Sequence, residues 1–214
     1  MGPYHKTSDL PDTLAIFPLP GALVFPRWDL PLNIFEPRYL NMIDDAMAGA
    51  RLIGMIQTTG GPRAHPDIAR AGCAARITRY SETGDGRYLI TLTGICRFAV
   101  REELAVTSPY RQVVPDWAPF AADLHAAPDT GLPDRADLVR ALRSYTAAQG
   151  LQADWTAVED APMETLVHAL AAGCPFELLE KQALLEAVTL AERARVLISL
   201  LEIGGSGPVP GPMQ

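Results

Sequence analysis

Short apolar runs alternate with prolines in the first part of the chain. The runs 13–17 and 30–35 are rich in residues that favour β-strands, and prolines separate them from a shorter run at 23–25. A proline cannot donate a hydrogen bond to a neighbouring strand, so such prolines belong at sheet edges, bulges or corners. The pattern predicts short strands with interrupted edges.

A helix is predicted directly after these strands. Pro37 suits the first helical position, because its ring fixes φ and its missing N–H has no partner in a first turn. Tyr39 and Ile43 then share one face at helical spacing, and Gly49 is expected to end the helix. The run 51–57 that follows is continuously apolar, which indicates a buried strand.

The clearest pattern in the chain is that of a β-hairpin. Strand-forming runs at 73–82 and 87–102 flank the Thr-Gly-Asp-Gly turn at 83–86. In the second run, alternation assigns one face to apolar residues and the other face to polar residues, among them Arg97. Gly94 lies in the middle of this run, where it predicts the bulge or bend that a closing barrel needs.

After a last strand predicted at 110–117, the pattern becomes helical. Helices are predicted after an N-cap at Asp134, over 163–170, from Pro175 onward, and after the capping box of Thr189 with Glu192. Ala, Pro, Asp and Gly mark the stretch between the strands and the helices as a linker.

These patterns divide the chain into four parts. The predicted parts are a β domain at 10–118, a linker at 119–133, a helical domain at 134–205 and a disordered tail at 206–214.

The composition is that of a soluble globular protein. Of 214 residues, 48% are hydrophobic and 20% are charged, and no apolar run approaches the ~18 residues that a membrane helix needs. The N-terminal residues lack the apolar core of a secretory signal. The 3 cysteines form no C-x-x-C pair and suit reduced thiols. We therefore expect a cytoplasmic protein without a membrane partner.

No residue pattern predicts catalysis, a metal site or a bound cofactor. The only lysines, Lys6 and Lys181, fit neither a phosphate-binding loop nor a Ser-Lys dyad. The 4 histidines lack the spacing of metal ligands. Adjacent acids such as Asp44 and Asp45 diverge from each other and are expected on solvated faces. The protein is therefore expected not to be an enzyme.

The first strands and the hairpin resemble the LON substrate-binding domain, which is the N-terminal domain of Lon protease. The resemblance rests on four motifs: F-P-L at 17–19, L-V-F-P at 23–26, L-P-L at 30–32 and I-F-E-P-R-Y at 34–39. The last of these is especially similar to the stand-alone members of the family, which are not part of a full-length Lon protease. Gly94, Arg97 and Phe98 match a later strand of the family, and 175–202 is similar to its helical extension.

The resemblance implies an α+β fold. An N-terminal PUA-like β pseudo-barrel with one helix would be followed by a C-terminal α-helical bundle, without ATPase or peptidase domains. It also implies a module that binds unfolded polypeptide segments or a partner protein, in protein quality control. Open strand edges suit this role, because they can accept an added peptide strand.

Four residues near such an edge are candidate polypeptide contacts: Trp28, Phe35, Arg38 and Tyr39. Trp28 lies between charged residues and is expected to be the exposed contact. Phe35 and Tyr39 are expected in the core, with the Tyr39 hydroxyl at its rim. Arg38 is expected to pair with Glu36 or Asp45 on the helix surface.

Two alternatives remain open. An RNA- or small-ligand-binding module would need a basic patch, for which the hairpin offers Arg76, Arg79, Arg87 and Arg97, although the net charge of −7 disfavours nucleic acid. A hydrolase would use Cys73 or Cys96, the latter with a histidine such as His65, although alternation buries Cys96. The sequence does not predict the oligomeric state.

Overall fold

The computed structural model describes residues 4–62, 64–127 and 130–206. Contacts within the chain divide it into two compact units, one reaching to Ala126 and one beginning at Ala127. The first unit is a mixed β-sheet with one α-helix, and the second is helical. The predicted α+β class is confirmed.

The described residues of the first unit form six strands and one α-helix. They are β1 (Leu14–Pro18), β2 (Asp29–Ile34), α1 (Pro37–Ala48), β3 (Leu52–Gly60), β4 (Asp67–Glu82), β5 (Tyr88–Glu103) and β6 (Gln112–Asp116). Two short 3-10 helices cover Thr7–Asp9 and Ala118–Leu124. The predicted strands, helix and hairpin are confirmed, except that the apolar run 23–25 is buried without forming a strand.

The sheet has the strand order β2-β5-β4-β3-β1-β6. β1 runs parallel to β3, and all other pairs are antiparallel. Because β6 pairs with both β1 and β5, the strands other than β2 close into a ring. β2 pairs only with β5 among the described strands, and it is therefore an edge strand.

The predicted irregularity at Gly94 is confirmed as a bulge in β5. Ala75 pairs with Gly94 and its neighbour Ala74 pairs with Cys96, so Ile95 is an extra residue. An extra residue shifts the alternation and turns Arg97 onto the face that carries Leu92. The expectation that Arg97 lies on the polar face is therefore wrong, and its side chain is buried.

Helix α1 has the predicted ends. Pro37 is its first residue, and Gly49 follows its last turn as the C-cap. Tyr39, Met42 and Ile43 face the interior of the unit and are buried. Buried positions at helical spacing fix which side of α1 faces the sheet.

Within 130–206, the second unit has five helices: α2 (Arg135–Gln149), α3 (Trp155–Asp160), α4 (Met163–Gly173), α5 (Leu178–Glu186) and α6 (Leu190–Gly205). The Asp134 side chain accepts the Ala136 N–H at 2.9 Å, which confirms the predicted N-cap. The capping box of Thr189 with Glu192 is also present. None of the helices in the described residues is long and apolar enough to cross a membrane.

Two features of the helical unit differ from the prediction. α5 begins at Leu178 and not at Pro175, because Glu177 forms a capping box with Glu180. The short helix α3, capped by Asp154, was not predicted. The first difference concerns a helix end, where hydrogen bonds to single side chains decide the boundary. The second concerns a helix of only 6 residues, which is too short to show a helical pattern in the sequence.

Residues 119–126, the first half of the predicted linker, lie in the first unit. The 3-10 helix there buries Phe120 and Asp123. The limits 10–118 and 134–205 stay predictions for where independently folding domains begin and end. The predicted disordered tail, 206–214, lies outside the described residues except for Ser206, which caps α6.

Candidate functional site

A groove of ≈ 420 Å³ lies in the first unit beside the edge strand β2. One wall comes from the end of β1 and the start of α1, and the other wall comes from the segment before β6. Its lining residues are Phe17, Pro18, Leu19, Pro20, Leu32, Asn33, Phe35, Glu36, Arg38, Tyr39, Thr58, Ala64, Pro66, Pro109, Tyr110 and Arg111. Prolines and aromatic rings dominate this surface, and three of the four predicted contacts lie in it.

Tyr39 forms the floor of the groove on the α1 side. Its ring is buried, as expected, and lies 4.1 Å from the Phe17 ring between centroids. Burial raises the pKa of the Tyr39 hydroxyl above its usual value. The Arg38 guanidinium covers the same ring, with its Cζ 4.6 Å from the ring centroid. This aromatic stack is preformed.

Arg38 also pairs with Glu36, as one of the two expected partners. Its Nη2 donates to Glu36 Oε2 at 2.8 Å, and its Nε donates to the same oxygen at 3.0 Å. Both side chains are half-exposed, so the pair neutralises the rim of the groove and contributes less than about 1 kcal/mol to stability.

Phe35 is the exposed aromatic residue of the site, with 61% of its surface accessible. The expectation of a core position is wrong. Ile34, the last residue of β2, points inward, and alternation turns Phe35 outward before α1 begins. The Arg87 guanidinium lies 5.9 Å from its ring centroid. Phe35 is thus a large apolar surface beside an apolar groove.

Trp28 does not line the groove. It is partly buried rather than exposed, so the expectation of an exposed contact is wrong. The chain turns there, with the Trp28 N–H donating to Phe25 O at 3.0 Å and Trp28 O accepting the Gly94 N–H at 3.0 Å. The bond to Gly94 holds this segment against β5.

The opposite wall is fixed by hydrogen bonds that the sequence did not reveal. The Tyr110 hydroxyl donates to Asp45 Oδ2 on α1 at 2.6 Å. Burial, together with this bond to Asp45, raises the pKa of Tyr110 to about 12. The neighbouring Asp44 bonds the Tyr88 hydroxyl and raises the pKa of that tyrosine. The expectation that both acids are merely solvated is therefore wrong.

Arg111 completes this wall. It binds the Glu103 carboxylate through Nε and Nη2, both at 2.6 Å, and its Nη1 donates to Pro66 O at 2.6 Å. The Arg111 guanidinium holds the pKa of Glu103 below its usual value. Paired charges fix the rim geometry without leaving a net charge there.

The basic patch that RNA binding would need is not formed. Arg97 is buried and binds both oxygens of Asp123, with Nε to Oδ2 at 2.8 Å and Nη2 to Oδ1 at 2.7 Å. Arg87 pairs with Asp85 at 3.0 Å. Two of the four arginines are thus neutralised by acids, which leaves Arg76 and Arg79 as the remaining cations and weakens the electrostatic basis of the RNA-binding alternative.

The cysteines lack the features of nucleophiles. All three are buried. Burial, with a further contribution from the Asp123 carboxylate, raises the pKa of Cys96 to about 12, and burial raises that of Cys174 to about 11. A catalytic thiol needs a lowered pKa and access to solvent. The structure therefore does not support the hydrolase alternative.

We expect none of the three cysteines to react with an aromatic disulfide reagent at pH 8 in the native protein, because burial makes all three thiols inaccessible and raises the pKa of Cys96 and Cys174. Absorbance of the released thiolate measures the reaction. The same sample in denaturant is the control and should release three equivalents. Rapid reaction of one native cysteine would contradict this account.

No group of three or more His, Cys, Asp or Glu side chains is placed to hold a metal ion within residues 4–62, 64–127 and 130–206. The groove likewise contains paired rim charges and apolar walls, with no free carboxylate cluster among its lining residues. Its chemistry is that of contact with apolar and aromatic groups.

The comparisons agree on one family. The family model of the ATP-dependent protease La (LON) substrate-binding domain matches residues 13–202. The Lon protease of Anaeromyxobacter dehalogenans is 26% identical over 94% of this chain and 24% of its own length. Lon protease 2 of Myxococcus xanthus is 25% identical over 90% of this chain and 24% of its own length. The chain spans about a quarter of these relatives.

Solved structures show the same fold. A Lon N-terminal domain protein from Xanthomonas campestris has a TM-score of 0.60 at 19% identity, covering 87% of this chain and 97% of that chain. The N-terminal domain of the Mycobacterium avium complex Lon protease has a TM-score of 0.60 at 18% identity, covering 88% and 97%.

Proposed function

The chain belongs to the LON substrate-binding domain family, and we propose that it is a module without catalytic activity that recognises segments of other polypeptides in protein quality control. Its partners would be unfolded polypeptides or a partner protein that presents an extended segment. The proposal concerns recognition alone, because the chain spans about a quarter of the Lon proteases it resembles.

The observation that carries the proposal is the exposed Phe35 beside the groove. A large aromatic side chain that is 61% exposed costs solvation free energy unless a ligand covers it at times. Tyr39 and Phe17 extend the same surface inward, and Arg38 covers the ring of Tyr39. Phe35, Arg38 and Tyr39 are the proposed contacts, whereas Trp28 is set aside.

The chemistry of the groove suits many sequences rather than one. Aromatic rings and prolines supply contact area at a low cost in conformational entropy, since neither has many rotamers to lose. The rim cations Arg38 and Arg111 are already paired with acids, so they select weakly for charge. A surface of this kind favours exposed apolar side chains of non-native proteins.

The proposal includes a PUA-like pseudo-barrel for the first unit. Two observations support this layout: β6 pairs with both β1 and β5, and β5 bends at the bulge beside Gly94.

We also propose a cytoplasmic location. Three free buried cysteines suit this compartment, because thiols stay reduced there.

Replacing Phe35 by alanine is expected to weaken binding of apolar peptides by about 5- to 10-fold, since truncating an aromatic contact commonly costs 1 kcal/mol or more. Fluorescence anisotropy with a panel of labelled apolar peptides and a permanently unfolded protein measures the affinity. The groove geometry should remain, because the Phe35 side chain is outside the core.

The matched control is Leu179→Ala in the helical unit, where the side chain is 80% exposed. This change should leave the affinity unchanged. Absence of binding by the unaltered protein at near-millimolar peptide, or equal losses in both variants, would overturn the proposed function.

A further inference from the structure

The open edge of β2 has a defined set of backbone groups. In an antiparallel pair, residues alternate between bonding the neighbouring strand and turning N–H and C=O away from it. The Gly94 N–H donates to Trp28 O at 3.0 Å, so Trp28 is one of the residues that bond the neighbouring strand. Continuing the register, Leu30, Leu32 and Ile34 bond β5. The residues between them face the open edge.

Asp29, Pro31 and Asn33 are therefore the residues whose backbone is open to a ligand. Pro31 contributes only a carbonyl, because proline has no N–H. Asn33 contributes both a donor and an acceptor. Asp29 lies outside both surface depressions that flank this edge, so a strand bound over them finds one complete pairing position, at Asn33, and a second position, at Pro31, whose carbonyl can only accept.

This edge has one depression on each of its two sides. The groove described above lies on the α1 side of β2, and a shallower depression of ≈ 520 Å³ lies on the outer face of the hairpin. Leu32 and Asn33 line both of them. Alternate side chains of a strand point to opposite faces, so a strand added to β2 would reach both depressions.

The hairpin depression has a distinct charge. Its lining combines the 47% exposed Leu89 with Arg79, which is the only charged residue among its lining residues. Arg79 is exposed and has no ion pair within the described part of the chain. This side of the edge therefore complements apolar or acidic side chains and disfavours basic ones.

We propose that β2 binds an extended polypeptide segment as an added antiparallel strand, which pairs through both backbone groups of Asn33 and donates an N–H to the carbonyl of Pro31. The side chains opposite Asn33 and Pro31 lie over the hairpin depression and are apolar or acidic. The side chain between them enters the groove and is apolar. This inference rests on the proposed function and names its binding mode.

An N-methyl scan of the tightest peptide of the panel tests the mode without altering the protein. Methylation removes an amide donor and adds bulk at the bonded edge. Two positions, two residues apart, should lose at least 10-fold in affinity, whereas methylation of the intervening residue should change it by less than about 2-fold. A flat scan, or losses at adjacent positions, would overturn the inference.

A protein variant tests the same pairing from the other side. Pro31→Ala restores a donor at the open edge and should tighten binding by about 3- to 10-fold, the gain of one hydrogen bond. Pro133→Ala in the second unit is the control and should have no effect. Unchanged or weaker binding with Pro31→Ala, at an unchanged melting temperature, would contradict the added strand.

The side-chain assignment has its own test. Arg79→Glu should reverse the preference between peptides that carry Glu or Lys opposite Pro31 by at least about 5-fold. An unchanged preference would overturn the charge assignment.

Failure of the inference and failure of the proposed function are distinguishable. If peptides bind and Phe35→Ala weakens them, but the methyl scan is flat, only the strand addition is wrong. If no peptide binds, the proposed function itself is wrong.

Sedimentation of the protein alone tests whether a second copy of the chain covers the open edge of β2. Two copies paired edge to edge would give a concentration-dependent dimer, which would overturn the assignment of this edge to a different polypeptide.

Discussion

Replacing Gly94 by alanine is expected to destabilise the first unit by about 4 kcal/mol or more, which places it among the largest single-residue effects. A Cβ on Gly94 would lie 2.0 Å from Phe25 O and 2.6 Å from Phe25 C. These are backbone atoms and cannot rotate away. The Arg27 N–H also donates to Gly94 O at 2.8 Å, so the two segments cannot separate without losing that bond. Urea unfolding followed by circular dichroism measures the change.

Gly84→Ala provides the matched control for this substitution. Gly84 lies in the hairpin turn, and a Cβ there would meet no atom within 4 Å. Its unfolding midpoint should stay within about 0.5 kcal/mol of that of the unaltered protein. Similar midpoints for the Gly94 and Gly84 variants would show that the close approach to Phe25 is absent.

Removal of the Asp123 carboxylate is the second change with a large expected effect. Asp123→Ala should cost about 3–5 kcal/mol, because it removes the carboxylate that neutralises the buried Arg97 cation. The carboxylate also accepts the Arg97 backbone N–H at 3.0 Å, which would become unsatisfied. Thermal and urea unfolding measure the loss.

Two further variants separate burial from charge pairing. Asp137→Ala removes an exposed ion pair with Arg140 and should change stability by less than about 0.5 kcal/mol. The double variant Arg97→Met with Asp123→Leu should regain part of the loss, because no buried charge remains. If the Asp123→Ala variant loses as little stability as the Asp137→Ala variant, the ion pair of Arg97 with Asp123 is not buried.

Both fold-determining contacts position the edge strand. Gly94 holds the turn 25–28, from which β2 starts, and the pair of Arg97 with Asp123 fixes the strand beyond the bulge against the 3-10 helix. The open edge of β2 is therefore set by rigid neighbours. A preorganised edge lowers the entropy cost of binding an extended segment.

The elements were predictable where local chemistry determines them. Pro37 at the start of α1, the cap at Asp134 and the capping box of Thr189 with Glu192 all depend on residues a few positions apart. Arg97 was assigned to the wrong face because one extra residue at Ile95 inverts the alternation, and a sequence pattern does not show at which residue a bulge inserts.

The site was predictable only in part. The I-F-E-P-R-Y motif identified Phe35, Arg38 and Tyr39 on one wall, but Phe17 and Tyr110 come from distant segments that meet only in the fold. Phe35 was predicted to be buried and is exposed, whereas Trp28 was predicted to be exposed and is partly buried. Each is next to an element boundary, where one residue decides between an inward and an outward side chain.

Amide hydrogen exchange of the protein, with and without a saturating unfolded polypeptide, locates the bound surface without a substitution. Recognition at the edge of β2 predicts slower exchange at 29–35 and 17–19, with Asn33 among the protected amides, and unchanged exchange over α2 to α6. Unchanged exchange throughout the first unit, or protection confined to the helices, would contradict recognition at this edge.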